Sequence, residues 1–202
     1  KLHARGYWTE DRLENVLFQN EEYFDPIDVI IHNQESQRQR RSSWMVELRP
    51  EIRMDSTGLL AVTAHVRRAP SRFGANTNSV LNRQSVLSAG QELEGDDAYY
   101  LADAAYTKRL GSATSLIGRL AWSRHDLQQK LDVNSDFLNS VEWVQSSALR
   151  QQVNGSLSTS LLAGELNHRI GKQFLSMKTE LRHVSSALST GLFRNTDAGQ
   201  PI

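Results

Sequence analysis

The sequence predicts an all-β fold: an antiparallel up-and-down transmembrane β-barrel, or a segment of a larger one with about seven or eight strands. Three observations predict it. Apolar residues recur with a period of two over runs much longer than the roughly five or six residues of a soluble strand. Short turns join these runs in pairs. Long polar stretches rich in Asn, Ser, Gln, Asp and Gly separate the pairs, so short and long connections alternate along the chain.

The first forty positions are the least regular part. Leu2, Ala4, Gly6 and Trp8 alternate as a strand, and Ile27, Val29 and Ile31 offer a second one. Between them Asp11 to Asp25 has no clear period and suits an external loop with some helical character. From Trp44 the pattern sharpens. Trp44, Val46, Leu48 and Ile52 fall on one face of a strand, and Glu47, Arg49, Glu51 and Arg53 on the other. Pro50 interrupts this pattern, because proline removes a ladder donor and belongs at an edge or a bulge. Asp55-Ser56-Thr57-Gly58 has turn composition, and Leu60, Val62, Ala64 and Val66 resume the apolar face beyond it.

Two further hairpins follow the same design. Tyr100, Ala102, Ala104 and Tyr106 lead through a turn at 109–114 to Leu116, Gly118, Leu120 and Trp122. Val153, Gly155, Leu157, Thr159, Leu161 and Ala163 face one way as the apolar row of the next strand, and a turn at 168–173 leads to Leu175, Met177, Thr179 and Leu181, with Lys178, Glu180 and Arg182 on the opposite face. Tight turns are thus expected near 55–58, 109–114 and 168–173, and long loops near 10–35, 69–98 and 125–150. A transmembrane barrel has this asymmetry, with short turns on one side and long loops on the other, whereas a soluble sandwich carries loops at both ends.

Lipid cannot satisfy charge and a wet interior can, so the apolar rows are expected to face lipid. The lumen is then lined by Glu47, Arg49, Glu51, Arg53, Lys178, Glu180 and Arg182, whose charges are expected to form a ladder of cross-strand pairs. Tyr7, Trp8, Trp44, Tyr99, Tyr100 and Trp122 sit near strand ends, as an interfacial girdle requires, with Trp8, Trp44, Tyr100 and Trp122 as its membrane-interface residues.

Composition removes other classes. Twenty-three Lys+Arg balance twenty-three Asp+Glu among 202 residues, which leaves no basic field for nucleic acid. Without cysteine there is no disulfide framework, thiolate metal site or thiol nucleophile. No apolar run approaches a membrane-spanning helix of about 20 residues. The six histidines show no helical i, i+3 or i, i+4 spacing, so no metal site is expected. The local signatures of nucleophile-elbow hydrolases, P-loop enzymes and dinucleotide binders are missing, and neither catalytic residues nor a cofactor is expected. Glu92, Glu94, Asp96 and Asp97 read as a solvated acidic loop rather than a Ca²⁺ site, and Gln37-Arg38-Gln39-Arg40-Arg41 as a solvated strand extension rather than a lipid-headgroup or ligand contact. The start at Lys1-Leu2-His3, with no initiator Met or signal peptide, and the loop-like end at Gly199-Gln200-Pro201-Ile202 suit a piece of a longer chain.

The arginine-rich lead Arg38-Gln39-Arg40-Arg41, the strand closing on Arg53-Met54-Asp55-Ser56-Thr57, and the turns Tyr106-Thr107-Lys108-Arg109-Leu110-Gly111 and Leu166-Asn167-His168-Arg169-Ile170-Gly171-Lys172 resemble a known cadence. It is that of TonB-dependent receptor-like outer-membrane β-barrels of Gram-negative bacteria, including SusC-like transporters. The resemblance covers roughly residues 36 to 188 and carries over no individual functional residue. It implies a place in the bacterial outer membrane, contact with its lipid, and nutrient import by a TonB-dependent mechanism. As partners it implies the remainder of the barrel or other outer-membrane subunits, with TonB and a surface lipoprotein. The chain departs from the family in showing no plug domain and no TonB-contacting segment. The alternatives are a non-transporting barrel subunit scaffolding a multi-protein outer-membrane complex, and a soluble secreted β-sandwich binding module.

Overall fold

Strict alternation of apolar with polar side chains commits a chain to extended backbone, because only a period of two sorts them onto opposite faces. The computed structural model describes residues 1–24, 29–81, 84–135 and 148–194, and they form strands and turns without a helix. The strands are β1 (Leu2–Phe24), β2 (Val29–Arg53), β3 (Gly58–Arg68), β4 (Ser71–Leu81), β5 (Gln84–Arg109), β6 (Thr114–Ser135), β7 (Ala148–Ile170) and β8 (Gln173–Arg194).

All eight belong to one antiparallel sheet in which sequence neighbours are spatial neighbours. β3 and β4 together occupy one place in it. Both lie between β2 and β5, and one register runs through them, from Trp44↔Arg68 to Arg41↔Ser71. Ala69 and Pro70 interrupt the strand because proline has no N–H to give the ladder. The backbone still holds there, with Ser42 N donating to Pro70 O at 3.1 Å and Ala69 N to Asp97 O at 2.8 Å. Pro50 acts alike: the β2–β3 ladder runs from Trp44 to Leu48 and resumes at Glu51.

Three tight turns lie at one end of the sheet, where the sequence predicts them. Residues 54–57 join β2 to β3, 110–113 join β5 to β6, and Gly171-Lys172 joins β7 to β8. In the first, Asp55 Oδ1 accepts from the Thr57 amide and hydroxyl, both at 2.7 Å, and Oδ2 accepts from Lys108 Nζ at 2.7 Å. These bonds, Lys108's above all, hold the Asp55 carboxyl far below the usual carboxylate range. In the third, Gly171 has φ = 60° in a two-residue loop, the left-handed region that such hairpins demand and that a β-carbon resists. Replacing Gly171 with valine is expected to cost about 1–2 kcal/mol of unfolding free energy, and Gly171→Asn clearly less, because asparagine tolerates this conformation. Denaturant titration of both variants checks this.

The expected long loops are largely strand. Residues 10–24 and 29–35 continue β1 and β2, 71–81 and 84–98 belong to β4 and β5, and 125–135 and 148–150 to β6 and β7. The remainder of the 125–150 loop, and Ile27, lie outside the described residues. β1 and β2 pair from Leu2↔Pro50 to Phe24↔Val29, with one bulge between Leu13 and Val16. Extended pairing has won there over the helical character the sequence suggested.

Such strands enclose almost nothing. The chain exposes 14511 Å², against about 9,600 Å² expected for a compact monomer of its mass. Of the described hydrophobic residues only Met45, Ala69, Ala75 and Ala98 are buried. β1 pairs with β2 and β8 with β7, and within the described residues the sheet does not close on itself.

Candidate functional site: two faces of one sheet

Directly paired residues of an antiparallel sheet share a face, so the registers sort every side chain. One row runs Leu2, Pro50 on β1 and β2, then Val62, Ala104, Leu120, Leu162 and Leu181 from β3 to β8. The rows beside it carry Val46, Val66 and Tyr100 on one side, and Ile52, Leu60 and Tyr106 on the other. Together they make an apolar band across the half of the sheet nearest the tight turns. Its members are laid bare, with Leu120 62%, Leu162 56% and Leu181 70% exposed.

Aromatic residues line the edge of this band away from the turns. Trp8 pairs directly with Trp44, Tyr100 with Val66, and Trp122 with Ala102. Trp8, Trp44, Tyr100 and Trp122 therefore share the apolar face along one boundary, whereas Tyr7 and Tyr99, expected in the same girdle, lie on the opposite face because each neighbours a residue of the apolar one. Tyr106 stands on the apolar face near the turns.

The opposite face of the same half is polar. Glu180 leads across through Ala163, Arg119, Ala105 and Ala61 to Glu51, and Lys178 through Glu165, Ile117, Thr107 and Leu59 to Arg53. The predicted lumen residues of β2 and β8, far apart in sequence, thus lie on one face. Their charges pair along strands rather than across them. Glu47 accepts from Arg49 Nη2 at 3.1 Å, and Glu180 from Arg182 Nη2 at 3.0 Å with Lys178 Nζ at 3.4 Å. Residues two apart on a strand point the same way and reach each other as readily as cross-strand neighbours.

Pairs across strands come mainly from residues that the sequence reading did not place on this face. Arg119 Nε of β6 donates to Asp103 Oδ2 of β5 at 2.7 Å. Nearby, His125 Nε2 donates to Asp97 Oδ1 at 2.8 Å, and Tyr99 packs edge-on between His125 and His65, with ring centroids 6.4 and 5.7 Å away. His65 lies 3.6 Å from Glu47. Once Tyr100 and Ala102 are placed on the apolar face, parity alone puts Tyr99, Asp97 and Asp103 on the other.

Beyond the aromatic line the polarity of the faces exchanges. The face that was apolar now carries Arg38, Arg72, Glu92, Glu94, Lys130, Asp132 and Arg150, while Phe73, Leu93, Leu131 and Val133 lie on the other. The charges form one chain over five strands. Arg72 Nε reaches Glu92 at 2.5 Å and Arg38 Nη2 reaches it at 3.4 Å; Lys130 bridges Glu94 at 3.8 Å and Asp132 at 2.9 Å; Arg150 Nε donates to Asp132 at 2.6 Å. The Arg72 guanidinium holds the Glu92 carboxyl below its ordinary range. At the aromatic boundary Arg68 pairs with Asp96, and Arg124 Nε with Asp126 at 2.9 Å.

The expected acidic loop is therefore a strand whose carboxylates are engaged by Arg72, Lys130, Arg68 and His125. Among the described residues no three His, Asp or Glu side chains converge as a metal site would require. No protein-family model matches the chain, and no curated protein matches it.

Proposed function

We propose that this sheet is part of the wall of an outer-membrane β-barrel, the barrel of a TonB-dependent receptor-like transporter that imports a nutrient. The observation that carries the reading is the exposed apolar band on one face, bounded by Trp8, Trp44, Tyr100 and Trp122 and backed by charge on the other face. In water such a band is a liability; against lipid it is the surface a barrel needs. The band covers seven to nine residues of β2 between Trp44 and Ile52, close to the roughly 9–11 residues with which a tilted strand crosses a bilayer. The remaining length of each strand then stands clear of the membrane as an external extension. On this reading the tight turns face the periplasm, and the Glu47–Arg49, Asp103–Arg119 and Asp97–His125 pairs face the lumen.

A second reading, a non-transporting barrel subunit that scaffolds an outer-membrane complex, draws on the mutual pairing of those lumenal charges, which suits a passive wall as well as a ligand path. One experiment addresses both. The native polypeptide is recovered from outer-membrane fractions in detergent and run on a gel before and after boiling. A heat-modifiable band several times the 22.8 kDa of this chain is expected, with a plug and a TonB-contacting segment in the same polypeptide. A heat-modifiable barrel without a plug would favour the scaffold, and a species soluble without detergent would contradict both.

A further inference from the structure

Three arginines stand directly opposite one another on neighbouring strands: Arg12 on β1 pairs with Arg40 on β2, and Arg40 with Arg72 on β4. Like charges in that relation repel and destabilise a sheet, so the row calls for a compensating anion. Arg38 joins it from the next row, its side chain lying over Gly74, where a β-carbon would come within 2.8 Å of its Nε.

Two carboxylates carry the closest contacts to the four guanidiniums, each shared by two of them. Glu10 is shared by Arg12 Nε at 2.7 Å and Arg40 Nε at 3.0 Å, and Glu92 by Arg72 and Arg38. Glu94 lies 3.5 Å from Arg72 but also serves Lys130, and Glu14 adds a longer-range attraction to Arg12. All four arginine side chains remain more than half exposed, at 52%, 65%, 64% and 56% in sequence order. Arg38, Arg40 and Arg72 line an open depression of about 360 Å³ with Leu13, Glu14 and Gln39.

Position identifies the anion. Arg12 and Arg40 are on the same face as Trp8 and Trp44, four residues farther from the turns, which is about 13 Å along a strand. At a tilt of about 45° that is about 9 Å beyond the aromatic line, just outside a headgroup layer of about 5–7 Å and within the reach of an arginine side chain that bends back toward it. We propose that Arg12, Arg38, Arg40 and Arg72 bind the phosphate of an anionic lipid in the leaflet around the barrel. A planar, multi-donor guanidinium suits phosphate oxygens, and several of them in one row suit a phosphomonoester. The inference rests on the barrel reading and adds its lipid partner.

The test uses the full polypeptide that carries these strands, reconstituted in phosphatidylcholine vesicles containing a minor share of phosphatidate. Lipid retained after mild detergent extraction is identified by native mass spectrometry. Phosphatidate is expected to be enriched about tenfold over its bulk share. In R12Q/R40Q/R72Q, which keeps hydrogen-bonding side chains beside Glu10 and Glu92, it should fall to that share while heat-modifiability persists. Excess inorganic phosphate should leave the enrichment unchanged. An inserted wild-type protein without enrichment, an unchanged triple variant, or displacement by inorganic phosphate would each overturn the proposal. Extraction of the protein from the vesicles by alkaline carbonate would instead overturn the barrel reading beneath it.

Discussion

Replacing Leu120 with arginine is expected to lower the stability of the protein folded in lipid by about 2–4 kcal/mol, the cost of a cation on the lipid face of a barrel near mid-bilayer. Leu120 lies in the middle of the apolar band, between Ala104 and Leu162, and is 62% exposed. In a water-facing sheet, a leucine so exposed could become arginine for within about 0.5 kcal/mol. The two environments therefore predict effects that differ severalfold for one substitution. Ala121→Arg is the matched control, since Ala121 pairs with Asp103 and Leu161 on the polar face. It is expected to cost less than about 1 kcal/mol, because water or a carboxylate can meet the new charge. Urea titration of both variants reconstituted in vesicles makes the comparison.

The second large effect is expected at the sheet's edge. β8 presents a row of 22 residues whose outer backbone groups have no partner among the described strands. Alternate amides of a strand point to opposite neighbours, so of Lys178 and Thr179 one donates toward β7 and the other away from it. If the edge ended in water, proline would be tolerated at the outward-facing one of the two. In a barrel wall both amides are bonded, because lipid cannot replace a missing partner. Lys178→Pro and Thr179→Pro, made singly in the full polypeptide, are each expected to cost about 3 kcal/mol or more and to abolish the heat-modifiable form. A variant at either position that assembles normally would mean that β8 is a true edge.

Much of this fold is legible in the sequence, and the part that is not has a physical cause. Between Trp44 and Trp122 a single phase of alternation holds near the turns, so strands, turns and faces follow from a period of two. At the aromatic line the phase reverses. Asp96 and Asp97 are adjacent polar residues facing opposite ways, as are Arg124, His125 and Asp126, and such a run reads as the end of a strand. In the described residues the strand in fact continues with its polar side exchanged, which is why 71–81, 84–98 and 125–135 look like parts of loops. The candidate site shows the same division. The residues of the polar face on β2, β5 and β8 are legible by parity, and the four aromatic residues by their place at the end of an apolar run. On β7 the phase read from Val153 to Ala163 is reversed, because register sets Leu162 beside Leu120 and Leu181 in the apolar band and leaves Leu161 and Ala163 opposite Arg182 and Glu180. The pairing of Asp103 with Arg119, and the arginine row from β1 to β4, depend on register, which no single strand specifies.

The central claim is that alternate residues of β6 meet lipid and water. The chain has no cysteine, so single cysteines can be placed one at a time from 116 to 122 in the full polypeptide and reconstituted in vesicles. Each is then challenged with a membrane-impermeant maleimide and, as a spin label, with a lipid-soluble relaxant. The account predicts that positions 116, 118, 120 and 122 respond to the lipid-soluble relaxant, and 117, 119 and 121 to the aqueous reagent. Equal aqueous labelling along the whole segment, with no alternation, would contradict it.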